Sequence, residues 1–228
     1  MRYAVLGTGI VGRTIAAKLA SLGHEVVIGT RDPKATLART EPDGYGNPPF
    51  AEWLAGHGQI RLETFADAAA QCDTVVNTTA GSGSLDALEA AGAANLGGKV
   101  IVDVANPLDF SQGMPPSLNP VNTDSLGEQI QRAFPEAKVV KALNTMNCQI
   151  MVEPSRVPSE HTVFVSGDDA DAKRTVTGLL LSFGWPESSV LDLGDISTAR
   201  GTEMLLPIWL RLWGALGHAD FNFHIAGA

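Results

Sequence analysis

Apolar residues along this chain fall into short continuous runs that alternate with stretches of helical spacing, beginning at the first residues. Residues 3–6 form a run suited to a buried strand, residues 11–22 repeat apolar positions at the helical period, and a second run, Glu25-Val-Val-Ile-Gly-Thr30, follows at the distance of a βαβ unit. The same alternation predicts further strands at 60–64, 73–79, 99–106 and 138–144, and helices at 50–55, 65–71, 84–91 and 125–134. It continues on a smaller scale with strands at 162–168 and 190–194 and helices at 170–183 and 198–216. Such a pattern specifies an α/β protein with a mostly parallel, doubly wound sheet in 1–147. Residues 148–228 are expected to form a small C-terminal α/β lobe, or extra strands on the main sheet. The apolar stripe Met204, Leu205, Ile208, Trp209, Leu212 and Trp213 is expected to pack on that sheet, with a dimer surface as the alternative.

Between the first strand and first helix stand Gly7, Gly9 and Gly12 in G-x-G-x-x-G spacing, enclosing Thr8, Ile10 and Val11. In a strand–turn–helix context this is the Rossmann dinucleotide fingerprint: Gly7 for the tight turn, Gly9 for pyrophosphate approach, Gly12 for close helix–strand packing. The phosphates would sit at the positive end of the helix. An NAD-binding unit usually carries Asp or Glu at the end of its second strand to accept from the ribose 2′-hydroxyl. Here that place holds Gly29-Thr30-Arg31. A hydroxyl and a guanidinium suit a 2′-phosphate, so NADP(H) is expected rather than NAD. Lys34 is counted with them on the cofactor side, or is a plain surface lysine. Asp32, one place later, is expected to cap the next segment or pair with Arg31.

Ligands of such sheets bind outside the carboxyl ends of the strands. Thr78, Thr79 and Ala80, which open the polar cluster up to Ser84, should therefore border the cofactor, unless they serve only as a turn. Ala105, Asn106 and Pro107, at the end of the 99–106 strand, should face the nicotinamide. The loop at residues 41–49, Glu41-Pro-Asp-Gly-Tyr-Gly-Asn-Pro-Pro49, lies near the adenosine end, either as plain surface or closing over cofactor. No His-Asp or Lys-Asp set is expected at the strand ends. His218, Asp220 and His224 read as helix-end and tail residues rather than a metal site, and Arg200 and Glu203 as a local ion pair.

Charge and cysteines narrow the partners. With 16 basic and 25 acidic residues the formal charge is −9, which argues against nucleic acid or an anionic membrane. Cys72 and Cys148 encode neither a disulfide framework nor a zinc site. No apolar run reaches membrane-span length, and a strand at the very start leaves no place for a signal peptide, so a cytoplasmic location is expected.

With these motifs in place, the chain resembles the F-420-dependent NADP reductases, which pass hydride between NADPH and a deazaflavin coenzyme. The matching stretches are Gly7-Thr-Gly-Ile-Val-Gly12, Gly29-Thr-Arg-Asp32, Asn106-Pro-Leu108, Lys141-Ala-Leu-Asn-Thr145, Gly167-Asp-Asp169, Ala199-Arg200 with Glu203 and Pro207, and Phe221-Asn-Phe-His-Ile225. A similar NADPH-binding domain occurs in membrane ferric reductases. The resemblance implies that Thr30 and Arg31 hold the 2′-phosphate, that the three glycines line the pyrophosphate, and that Thr79, Ala80, Asn106 and Pro107 flank the nicotinamide. It implies acceptor-side residues Asn144, Thr145 and Met146, coenzyme F-420 or a flavin as second ligand, and a homodimer. The longer loop around Tyr45-Gly-Asn-Pro-Pro49, and the lack of a Pro-Trp before Leu85, depart from the compact archaeal-type members. Hydride transfer between stacked rings needs alignment and exclusion of water more than a catalytic acid, so no catalytic side chain is assigned. The rival readings are reduction of a small carbonyl or imine, reduction of free flavin or ferric chelate, and a non-catalytic NADP(H) sensor.

Overall fold

The computed structural model describes residues 1–44 and 46–227; Tyr45, in the loop expected at 41–49, lies outside the described residues. The strands are β1 Arg2–Leu6, β2 Glu25–Thr30, β3 Ile60–Thr64, β4 Thr74–Asn77, β5 Val100–Asp103, β6 Leu108–Asp109, β7 Ser117–Leu118, β8 Lys138–Ala142, β9 Val163–Gly167 and β10 Val190–Gly194. The helices are α1 Ile10–Ser21, α2 Pro33–Leu37, α3 Phe50–Ala55, α4 Phe65–Gln71, α5 Ser84–Ala91, α6 Ala93–Leu96, α7 Leu126–Ala133, α8 Cys148–Val152, α9 Ala170–Phe183, α10 Ala199–Met204 and α11 Leu206–Leu216.

Eight strands form one sheet in the order β10-β9-β8-β5-β4-β1-β2-β3, and β6 and β7 form a separate two-stranded hairpin. From β3 to β8 every pairing is parallel, which is the doubly wound nucleotide-binding order, with its switch between β1 and β4. The pairing of β8 with β9 is antiparallel, and β10 runs parallel to β9. Residues 148–228 thus extend the sheet of the 1–147 half along one edge.

Alternation along the strands divides the core between the two faces. Tyr3 and Val5 of β1 pack with Ile15 and Leu19 of α1 and with residues of α8 and α9. Ala4 and Leu6 face the other way, onto Phe65 and Ala68 of α4 and residues of α5 and α7. Both faces are covered, as a parallel sheet requires.

Two expectations are corrected here. The single helix expected at 198–216 is interrupted at Leu205, because Pro207 lies in the first turn of α11 and has no amide to continue the preceding ladder. The apolar stripe does not pack on the sheet as a whole: only Leu206 of α11 is buried, while Met204, Ile208, Trp213 and Leu216 are exposed. Among the described residues, no helix is long and apolar enough to cross a membrane.

Candidate functional site

The glycine turn is dictated by backbone crowding at two of its positions and by open space at the third. Gly7 has φ +123°, and a Cβ there would lie 2.9 Å from the Thr78 carbonyl oxygen and 2.9 Å from its hydroxyl. A Cβ on Gly12 would lie 2.3 Å from the Gly7 carbonyl oxygen. Gly9 has no neighbouring atom within 4 Å of its would-be Cβ, and as N-cap of α1 it leaves the first turn without a side-chain cap. Uncapped amides beside an open glycine form a cradle for a pyrophosphate, so the residues present fit a dinucleotide.

At the end of β2, Asp32 caps α2 by accepting from the Ala35 amide at 3.0 Å. That is the first of its two expected roles, and Arg31 and Lys34 remain exposed beside it. Thr30 is buried, with its hydroxyl 2.9 Å from that of Thr36. The strand end therefore presents cations and no acceptor carboxylate from its own last residues.

Beyond the ends of β1, β4, β5 and β8 lies a cleft of about 360 Å³. It brings together Ile10, Val11, Thr78, Thr79, Ala80, Ala105 and Asn106 from the expected cofactor side with Asn144 and Met146 from the expected acceptor side. Thr8 and Gly9 line a separate cavity. Gly7, Gly12, Thr30, Arg31, Lys34, Pro107 and Thr145 line neither, and the Thr145 hydroxyl is buried without a hydrogen-bond partner. Sequence reasoning missed the apolar walls: Leu108 and Phe110 on one side, Cys148, Met151, Leu206 and Trp209 on the other. The Trp209 indole N–H is buried with no partner among the described residues. Burial pushes the Cys148 thiol up, so it stays protonated.

Side-chain bonds set the spacing of the cleft walls. Asn106 Nδ2 donates to the Asn144 carbonyl at 2.7 Å, and Asn144 Nδ2 donates back to Asn106 Oδ1 at 3.0 Å. Leu143, immediately before, is held at φ +64°, a left-handed conformation that costs a non-glycine residue roughly 1 kcal/mol or more. Thr79 donates its hydroxyl to Asn77 Oδ1 at 2.7 Å, and Asn77 Nδ2 donates to Asp103 Oδ1 at 2.9 Å. The Thr78–Ala80 turn is thus fastened to β5.

Beneath the cleft lies a Lys–Asp set at the strand ends, contrary to the sequence expectation. The fully buried Lys141 Nζ lies 2.6 Å from Asp103 Oδ2 and 2.7 Å from Glu203 Oε1, and donates to the Ala105 carbonyl at 2.8 Å. Its ammonium thus meets two carboxylates and one carbonyl. Glu203 also accepts the amides of Leu126 and Gly127 at 2.9 and 3.1 Å, so the start of α7 offsets the group's excess negative charge. Burial alone would lower the Lys141 pKa, but the two carboxylates together raise it above its ordinary value. Glu203 is accordingly not paired with Arg200. Arg200 reaches across to Glu128, with Nε–Oε2 at 2.8 Å, and this hydrogen bond, then burial in opposition and Ser125 in support, leaves the Glu128 carboxyl below its usual range.

Among the described residues, no Asp, Glu, Lys, Arg or His lines the cleft. Its walls are largely apolar and, among the described residues, offer no charged acid or base.

Residues 2–107 match the family model for NADP oxidoreductases dependent on coenzyme F-420. A crystal structure from Arthrobacter sp. FB24, provisionally assigned as an F-420-dependent NADP reductase, is 66% identical, with 99% of each chain covered and a TM-score of 0.94. The F-420-dependent NADP reductase of Methanothermobacter thermautotrophicus is 28% identical over 219 residues, covering 93% of this chain and 89% of that one. The rat metalloreductase STEAP3 is 27% identical over 212 residues; the match takes in 91% of this chain but only 38% of the length of that relative.

Proposed function

This chain belongs to the family of coenzyme F-420-dependent NADP oxidoreductases, and from that premise we propose that it passes hydride between NADP(H) and F-420 itself. It is an NADP-dependent oxidoreductase; the acceptor is the part proposed. The observation that carries the reading is the cleft, where residues expected around nicotinamide share one apolar-walled space with Asn144 and Met146 and, among the described residues, no charged side chain enters. When bound, NADP(H) and the deazaflavin would supply the hydride chemistry, with solvent exchanging the accompanying proton; the glycine turn and the Thr78–Ala80 turn would hold the first and the Asn144–Met146 side the second. The chain's own part is alignment: Ile10, Val11, Ala80 and Ala105 leave room for a flat ring, and the Asn106–Asn144 clamp fixes the distance between walls. Trp209 offers an unused donor on the acceptor side. Residues 148–228 act as the acceptor half, contributing Cys148, Met151, Leu206 and Trp209.

Reduction of a small carbonyl or imine fits less well, because the lining has no charged proton donor. Likeness to the rat metalloreductase keeps flavin or ferric chelate as the second reading. The exposed apolar face of α11 supports a homodimer, and a cytoplasmic location accords with the proposed small-molecule ligands.

Stopped-flow absorbance with NADPH or NADH against F-420, FMN, FAD and a ferric chelate tests the acceptor. Rapid NADPH-specific loss of the oxidised deazaflavin band is expected. Turnover with flavin or iron alone would replace the acceptor, and tight NADPH binding without any turnover would favour a sensor. On the cofactor side, Arg31→Ala should weaken NADPH by roughly 10- to 100-fold, the loss of one charge-assisted pair, with little change for NADH. An unchanged NADPH titration would remove Arg31 from the 2′-phosphate site.

A further inference from the structure

The glycine turn also borders a second cavity, of about 690 Å³, whose wall includes Thr8, Gly9, Thr36 and Arg39. Arg13, on the first turns of α1, is only 7% exposed and ties this cavity together. Its Nε donates to the Thr8 carbonyl at 2.8 Å, its Nη1 to the Pro48 carbonyl at 2.6 Å, and its guanidinium lies 5.4 Å from the centre of the Phe50 ring. One side chain thereby joins the pyrophosphate turn to the chain segment just before α3. Its two hydrogen bonds, the Phe50 ring and the charge of Asp43 offset the cost of burying the guanidinium.

Arg39 lines the same cavity from the segment after α2, exposed and with no hydrogen bond or ion pair to a described residue. Thr36, also on the wall, carries the hydroxyl bonded to Thr30, so the cavity adjoins the end of β2. Two acids share the rim. Asp43 accepts from the Asn47 amide and Nδ2, and its charge, like that of Glu41, opposes an anion there.

We propose that this cavity receives the 2′-phosphate side of NADP(H), with Arg39 as a second phosphate-binding cation in addition to Arg31 and Arg13 as the positioning residue that holds the far wall to the glycine turn. The proposal rests on the NADP(H) reading above. Two guanidiniums suit a dianion better than one, and a phosphate beside hydroxyls of the strand end has the donors it needs.

The test is a pair of fluorescence titrations, NADPH and NADH, on the wild type, Arg39→Ala, Arg39→Lys and Arg13→Lys. Arg39→Ala should raise the NADPH Kd about 10-fold and leave the NADH Kd unchanged, and Arg39→Lys should recover part of the loss. Inhibition of NADPH binding by 2′,5′-ADP should weaken in parallel, whereas that by 5′-AMP should not. Arg13→Lys keeps the charge but loses the two-carbonyl tie; it should weaken NADPH, and adding Arg39→Ala to it should cost less than Arg39→Ala alone. Because Arg39 is exposed and unbonded, its variants should melt like the wild type. An Arg39→Ala protein that binds NADPH as tightly as the wild type, or loses NADPH and NADH equally, overturns the assignment. Wild-type protein that does not prefer NADPH would instead overturn the cofactor reading on which it rests.

Discussion

Replacing Lys141 with Met should destabilise the protein by about 3–5 kcal/mol, enough to leave a domain of ordinary stability partly unfolded at room temperature. The reason is asymmetry. The substitution removes the one cation and leaves Asp103 and Glu203 facing each other without it, both buried and together carrying the charge that Lys141 had balanced. It also strips the Ala105 carbonyl of its donor, at the edge of the cleft. By comparison, Arg200→Ala breaks a pair whose arginine is partly exposed, and should cost far less. Urea unfolding of the two variants side by side measures the difference, and a Lys141→Met midpoint close to that of Arg200→Ala would show that the buried group contributes no more than a surface bridge. The pH dependence has a definite sign. Lys141 titrates higher folded than unfolded, so its contribution is complete below the unfolded value of about 10.4 and fades as pH rises through the folded one. The wild type should therefore lose stability in strong alkali faster than Lys141→Met does.

This lysine illustrates why the sequence disclosed one part of the site and concealed another. The dinucleotide half is local: strand, glycine turn, helix and strand end occupy the first 31 residues, and each glycine has a backbone reason readable from spacing alone. Asp32 likewise caps a helix three residues away, within reach of inspection. Lys141 stands in an apolar strand and meets Asp103 and Glu203 only because β5 lies beside β8 and α10 folds back over them. Arg200 and Glu203 were legible as a pair by helical spacing, yet each found a stronger partner on another element, Glu128 and Lys141. The same holds for Phe110, Leu206 and Trp209, whose apolar character in the sequence does not distinguish a cleft wall from a core position. Leu143 gives no sign at all of its left-handed backbone, since leucine rarely adopts it.

A single methyl group at Gly81 should cut hydride transfer about 100-fold, the scale associated with displacing reacting groups by an ångström. A Cβ at Gly81 would lie 2.1 Å from the Asn106 carbonyl oxygen, 2.7 Å from its carbonyl carbon and 2.9 Å from Pro107 Cα. All three are backbone atoms, so no side chain can swing aside, and the turn after β4 must move away from the turn after β5. Neither turn is free to absorb the shift cheaply. The first is fastened through Thr79 and Asn77 to Asp103, and the second is clamped to Asn144 across the cleft. Displacement at Gly81 should therefore widen or skew the space between the proposed nicotinamide-side and acceptor-side walls, which should lower the rate more than it lowers cofactor affinity. Gly81→Ala should accordingly bind NADPH within a few-fold of the wild type while its single-turnover rate with F-420, the proposed acceptor, collapses, whereas Gly83→Ala, with nothing within 4 Å of the added carbon, should keep both. A Gly81→Ala enzyme as fast as Gly83→Ala would mean that the two turns do not set the geometry of transfer, and the Asn106–Asn144 clamp would lose its place in the proposed alignment.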